Sequence, residues 1–351
     1  MGWWQLDADT LAGSRFVVSP LAEVFGCLKL LHAGQGAHPG EHAWLGAHLP
    51  AYRARLAADP VTARLVRAGL GREWNADFLT PAPRPGEDFA AEVGRVRAVD
   101  PGAARAHLRL SLAGPLPAVL DRDDLAERAA TLLEWVWEET VRPSWERRRR
   151  VLEADVLART AQVSRGGWAS ALGGLRPGGT RWLGDNRFQV NLHEYPPRDI
   201  SGAELLFVPV TPQRQGWVSW TERERYAVVY PCAGVLAGDG GRTVPAGLGA
   251  LLGAARAGVL LLLGSPMSTT QLTAVTGQGL GSVGRHLKVL REAGLVERRR
   301  AGRAVLYVRT SAGDVLVEAS GPPGATRGRA HKAGSSGCGG PGASIRWHDD
   351  Y

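Results

Sequence analysis

The chain has 351 residues, 44% of them hydrophobic, with three cysteines and a formal net charge of +8. That length can bury a sizeable core and exceeds one average domain, so two domains are expected. Cys27, Cys232 and Cys338 are odd in number and far apart, which excludes the short spacings of zinc and redox motifs and points to a reduced, cytoplasmic protein.

Residues 1–10 are acidic and lack a basic start followed by an apolar stretch, so no secretory signal is expected. The longest apolar run, 259–263, is too short to span a bilayer. Arginine outnumbers lysine 39 to 3, a bias of the kind a GC-rich genome produces, and carries no mechanistic weight.

Ser19-Pro20 reads as an N-cap with proline in the first helical position, opening a helix towards Leu31. His38-Pro39-Gly40-Glu41-His42 matches the H-x-x-E-H pattern of one class of zinc peptidases. With Pro39 first in a helix, however, His38 is a cap and cannot share a face with His42, so no metal is expected there. Apolar residues at helical spacing mark helices over 43–58, 61–70 and 89–99, and 80–86 forms a proline-rich connection.

A long helical stretch is predicted over 124–172, broken near Pro143. Within it Arg147-Arg148-Arg149-Arg150 has Glu146, Glu153 and Asp155 within pairing distance, which favours a solvated, partly paired face over a nucleic-acid patch. Trp135, Trp137, Trp145 and Trp168 are read as core in preference to a ligand pocket. Beyond 177–179, strand-like runs at 181–192, 204–210, 217–220 and 226–230 predict a small, largely antiparallel sheet. His193 and Glu194 have no nucleophile motif beside them and are read as structural.

Residues 237–247 form the expected linker, and the charge balance shifts just beyond it. Residues 1–247 carry 29 basic against 28 acidic side chains, 248–309 carry 9 against 2, and 310–351 carry 4 against 4. A polyanion would be attracted to the middle segment.

Residues 248–263 are apolar at nearly every position except Arg256, which predicts one buried helix or one packed on a second subunit. Capping residues after Pro266 open a short helix over 268–275 that stops at Thr276-Gly277. A second helix follows over 280–293, with Val283, Leu287 and Leu290 facing inward. Its opposite face presents Gly281, Arg285, Lys288 and Glu292, flanked by Ser282 and His286. Small residues ahead of arginine and lysine allow a helix to approach the major groove closely, where arginine can bond guanine through two donors. Two basic-tipped strands around Ala301-Gly302-Arg303 complete a wing suited to the backbone or the minor groove.

Ser282-Val283-Gly284-Arg285-His286-Leu287-Lys288-Val289-Leu290-Arg291-Glu292-Ala293-Gly294-Leu295-Val296, then Arg299-Arg300-Ala301-Gly302-Arg303 and Tyr307, resemble the arsenic-repressor (ArsR) family over about 248–317. The resemblance implies a dimeric winged helix-turn-helix that represses transcription. Gly284 stands where the family commonly has serine, which bears on site preference. Cysteine is absent from 248–317, so metal sensing through a cysteine pair on the helix before the recognition helix is not expected. The upstream motifs Ser14-Arg15-Phe16-Val17-Val18-Ser19-Pro20-Leu21, Arg142-Pro143-Ser144-Trp145-Glu146 and Tyr195-Pro196-Pro197-Arg198 resemble uncharacterised N-terminal domains attached to such regulators in actinobacteria.

The expected fold class is α+β. A mainly helical domain (1–236) that dimerises or senses a ligand leads through the linker (237–247) to a winged helix-turn-helix (248–319) and a disordered tail (320–351). The expected DNA contacts are Thr269, Thr270, Gln271, Gly281, Ser282, Gly284, Arg285, His286, Lys288, Arg299, Arg300 and Arg303. Expected partners are double-stranded DNA, a second copy of the chain and a small-molecule effector of unknown identity. No membrane, metal, cofactor or catalytic residue is expected. Two alternatives stand beside this reading: an enzyme or small-molecule-binding protein with an appended DNA-targeting module, and a sequence-indifferent architectural protein.

Overall fold

Short hydrogen-bonding side chains placed just before apolar runs start most of the N-terminal helices. The computed structural model describes residues 2–320 except 38, 72, 173–174, 176–178, 193–195, 214–215, 222–223, 233–243, 265, 277 and 302–303. It opens with β1 (Trp3–Gln5), α1 (Ala8–Gly13), β2 (Arg15–Phe16) and α2 (Pro20–Ala33). The Ser19 hydroxyl accepts from the Ala22 N–H at 3.0 Å, and Pro20 fixes the first helical φ, as the sequence predicts. Then come α3 (Pro39–Ala58), α4 (Pro60–Gly69), α5 (Phe89–Arg97) and α6 (Pro101–Leu112). Asp59, Asp88 and Asp100 cap the last three through Thr62, Ala91 and Ala103.

α7 (Leu125–Val136) passes through a π turn at Trp137–Val141 and a 3-10 turn at Arg142–Ser144 into α8 (Trp145–Leu172). The interruption falls at Pro143, which has no N–H to continue an α ladder. α8 is kinked again at Gly167, whose φ is 68°.

β3 (Arg181–Gly184) and β4 (Arg187–Gln189) form a hairpin, so the apolar run at 181–192 is two strands. Gly184, Asp185 and Asn186 turn it, with φ values of 87°, 49° and 56°. β5 (Arg198–Asp199), β6 (Glu204–Val210), β7 (Trp217–Thr221) and β8 (Arg225–Pro231) complete two four-stranded sheets, ordered β3-β4-β1-β5 and β2-β6-β8-β7.

The α+β class with small sheets is as expected, but the strand directions are mixed. β6 runs parallel to both β2 and β8, and only β7 is antiparallel in that sheet. The physical reason is two-sided burial. Leu206, Val208, Ala227 and Val229 join the core built by the helices, whereas Leu205, Phe207, Tyr226, Val228 and Tyr230 join Trp4 and Phe188 in a second core. Strands covered on both faces carry unbroken apolar runs and suit parallel pairing.

The helical core is built around α2, in which all residues from Pro20 to Leu28 are buried. Trp135, Trp137 and Trp145 pack on this core, and Trp168 packs on the second, stacked on Phe16 at 5.9 Å. The basic run of α8 departs from the solvated face expected for it. Arg148 is only 3% exposed and donates to the Glu23 carboxylate at 2.6 Å, to Thr211 Oγ1 at 3.0 Å and to Ser144 Oγ at 2.9 Å. Arg149 and Arg150 do face solvent.

In the zinc-like motif, the buried Glu41 carboxylate accepts from the Gln213 N–H at 2.7 Å, and the His42 ring lies 3.1 Å from the Gly36 carbonyl oxygen. Both groups are thus engaged with backbone. Residue 38 lies outside the described residues, as do His193, Glu194, residues 237–243 of the expected linker and the tail beyond 320.

The C-terminal elements are α9 (Ala246–Leu252), α10 (Ala254–Leu262), α11 (Thr269–Thr276), α12 (Leu280–Glu292), β9 (Val296–Ala301), β10 (Ala304–Arg309) and α13 (Ser311–Ala319). The single helix expected over 248–263 is broken at Gly253, whose φ of 79° lies outside the helical region. Leu248, Val259, Leu260, Leu263, Leu272, Val283, Leu287, Leu290 and Val296 share a third core. A small seam joins it to the rest: Val275 of α11 packs on Val151 and Leu152 of α8 and on Cys232. Residues 1–320 form one compact unit. Among the described residues, no helix is long and apolar enough to cross a membrane.

Candidate nucleic-acid interface

Ser268 and Gln271 start α11 by capping each other. Gln271 N–H donates to Ser268 Oγ at 3.2 Å, and Ser268 N–H donates to Gln271 Oε1 at 2.7 Å. This reciprocal box satisfies two amides that a helix N-terminus otherwise leaves unpaired. It also buries Gln271 to 2% exposure, which removes that side chain from the expected DNA contacts. Thr270 is exposed and Thr269 half-buried on the same turn.

At the end of α11 the Thr276 hydroxyl donates to the Leu272 carbonyl at 2.7 Å and accepts from the Gln278 N–H at 3.3 Å. The chain then enters α12 at Leu280. Three apolar residues fix the rotation of this helix: Val283, Leu287 and Leu290 are at most 2% exposed. Gly281, Gly284, Arg285 and Lys288 therefore face solvent, with Ser282 and His286 half-buried on the flank. A Cβ added at Gly281 or Gly284 would meet no atom within 4 Å.

Electrostatics follow from this placement. Lys288 lies 4.0 Å from Glu292 in an exposed i,i+4 pair, which screens it little, and Arg285 stands beside it on the outward face. Ser282 Oγ lies 3.3 Å from His286 Nε2. The His286 pKa is lowered from its ordinary value, by partial burial first and then by Arg256 and Arg285.

α12 ends at Gly294, whose φ of 69° permits the Leu295 N–H to reach back to the Leu290 carbonyl at 2.9 Å. The following hairpin pairs Val296 with Arg309 and Ala301 with Ala304 in antiparallel register. Its root is tied to the helices through reciprocal bonds between Met267 and Tyr307, at 2.9 and 2.8 Å, and through Arg309 N–H to the Leu263 carbonyl at 2.8 Å. Arg299 is exposed and pairs with Glu297, its neighbour on the same strand face. Arg300 lies opposite Val305, but its side chain lies outside the described residues, as does the whole of Arg303.

The structure thus gathers Gly281, Ser282, Gly284, Arg285, His286 and Lys288 on one helix, and holds Arg299 on the adjoining hairpin. Two exposed cations escaped the sequence reading, Arg291 in the last turn of α12 and Arg298 opposite Tyr307. The run Arg298-Arg299-Arg300 was the available signal for the second.

Among the described residues, no group of three or more His, Cys, Asp or Glu side chains is placed to hold a metal ion. Residues 252–299, from the end of α9 to the middle of β9, match the helix-turn-helix domain family. No curated protein and no solved structure matches the chain.

Proposed function

We propose that this chain is a sequence-specific transcriptional regulator that binds duplex DNA as a homodimer, with α12 in the major groove and the β9–β10 hairpin along the backbone or in the minor groove. The helix-turn-helix domain supports a DNA-binding regulator. The observation that carries the finer reading is the outward face of α12, where two glycines leave room and Arg285 and Lys288 supply donors and charge. Repression and ArsR membership rest on the resemblance at 282–307. The homodimer rests on the same resemblance. The reading divides the chain into an N-terminal regulatory domain and the winged helix-turn-helix, and assigns it no catalytic activity.

The test uses the full chain and DNA from upstream of its own gene. Fluorescence anisotropy is expected to show affinity falling steeply with salt, and footprinting a short protected site. Arg285→Ala is expected to lose about 1 to 3 kcal/mol on the best site and to relax preference at one base position. Arg299→Ala should weaken all sites evenly. Binding that is absent, or indifferent to salt, overturns the proposal. Sedimentation equilibrium tests the dimer.

A further inference from the structure

Two apolar side chains of α12 stand in solvent rather than in the core: Leu280, the first residue of the helix, is 61% exposed, and Val289 is 38% exposed. Leu280 belongs to none of the apolar clusters formed by the described residues. It is not among the DNA contacts expected from the sequence. We propose that Leu280 reads a thymine, by packing on the 5-methyl group that this base presents in the major groove. The proposal rests on the reading of α12 as the DNA-contacting helix, and adds to it a residue that determines specificity.

Position separates Leu280 from other exposed apolar residues. Residues four apart stack in one row along a helix, so Leu280, Gly284 and Lys288 form one row and Gly281 and Arg285 the next. The outward-facing neighbours of Leu280 are thus two glycines, and a Cβ added to either would meet no atom within 4 Å. With no side chain beside it, the leucine stands clear of the helix surface. A helical side chain also leans towards the N-terminus of its helix, so one in the first turn extends to the leading end of α12, the part of a recognition helix that meets base edges. Val289 lies more than two turns further from that end and on the opposite side of the helix.

Charge decides the occupant. A second copy of the chain is the other candidate for covering an exposed leucine, but the surface around Leu280 is cationic. Arg285, Lys288 and Arg291 are exposed on α12, and the sequence has no Asp or Glu from Leu248 to Arg291. Two such faces set together would bring like charges into contact, whereas duplex DNA supplies the opposite charge. On the base edges of the major groove the 5-methyl group of thymine is the apolar feature, while guanine, adenine and cytosine present donors and acceptors. Leucine has no hydrogen-bonding group in its side chain and discriminates through that methyl.

The test uses the full chain and the duplex it binds best from a randomised pool, with affinities read by fluorescence anisotropy at one salt concentration. Each thymine is replaced in turn by deoxyuridine, which removes the 5-methyl group and leaves every donor and acceptor in place. At one thymine of each half-site the replacement is expected to weaken the wild type about fourfold, the worth of one buried methyl group. Leu280→Ala should weaken binding to the unmodified site severalfold and make that replacement silent, whereas Val289→Ala should retain its full effect. Circular dichroism checks that both variants are folded. The proposal is overturned if no deoxyuridine replacement weakens the wild type, if Val289→Ala abolishes the effect as Leu280→Ala does, or if Leu280→Ala weakens the thymine and deoxyuridine sites alike. That last result would mean that the leucine acts through folding or through a second copy. Absence of binding to any duplex overturns the regulator reading and this proposal together; binding without the methyl effect overturns this proposal alone.

Discussion

Gly284 sits in the middle of α12, where a methyl group would touch nothing in the protein. An interior helical glycine is less favourable than alanine by about 1 kcal/mol, so Gly284→Ala should raise the thermal midpoint. If DNA approaches this turn closely, the same change should lower affinity for the operator. Opposite signs in a melting scan and a binding titration are the expected result; a gain in stability with unchanged affinity would place the DNA elsewhere. Glu92 supplies a second test at this scale. It is 1% exposed and accepts from the Leu21 N–H at 2.6 Å, and burial pushes its pKa from 4.5 up to about 7 against that bond. Because the folded value lies above the unfolded one, the folded state holds the proton more tightly across that window, and this contribution to stability is lost as pH rises from about 4.5 to about 7. Glu92→Gln does not titrate, so its stability relative to the wild type should increase between pH 4 and pH 8, read from urea unfolding at each pH.

Among the elements, α12 was legible residue by residue, because its inward spacing of apolar side chains fixes its outward face. The β9–β10 pair was legible as two strands. Gln271 differs from the expectation because Ser268-Thr269-Thr270-Gln271 has the spacing of a capping box, which turns its side chain onto the Ser268 N–H and buries it. The directions of β6 and β8 were missed for a related reason. Their unbroken apolar runs recorded burial on both faces, but strand pairing depends on what α2 and the first sheet cover, which is not local information. Gly184-Asp185-Asn186 is a turn signal inside the apolar run at 181–192, and it divides that run into β3 and β4. The attachment of α13 yields a further prediction. A Cβ at Gly313 would run into the Leu295 carbonyl oxygen just beyond α12. Gly313→Ala should therefore cost about 1 to 3 kcal/mol in urea unfolding, because backbone on the facing side cannot yield as a side chain can.

For the molecule as a whole, α8 is the shared member. Near its start Arg148 enters the helical core, one turn on Val151 and Leu152 meet the helix-turn-helix, and at its far end Trp168 and Leu172 meet the second core. No local pattern in the basic run of α8 distinguishes Arg148 from its neighbours, since its partners Glu23 and Thr211 are distant in sequence. Removing one member of such a buried pair strands the other charge, so Arg148→Met should destabilise the protein by about 3 to 5 kcal/mol. The double variant Glu23→Met with Arg148→Met should lose less than the single one. That comparison, made by urea unfolding, measures the coupling of the pair.

The seam between α8 and α11 is narrow beside the cores it joins, with Val275 set against Val151, Leu152 and Cys232. Its consequence lies in the order in which backbone amides meet solvent deuterium. α2, buried from Pro20 to Leu28, can exchange only when the whole unit opens, whereas α11 has eight residues and is held by this seam, by Leu272 in the third core and by its own short ladder. The amides of α11 should therefore label well before those of α2, and DNA bound across α12 should slow the first set while leaving the second unchanged.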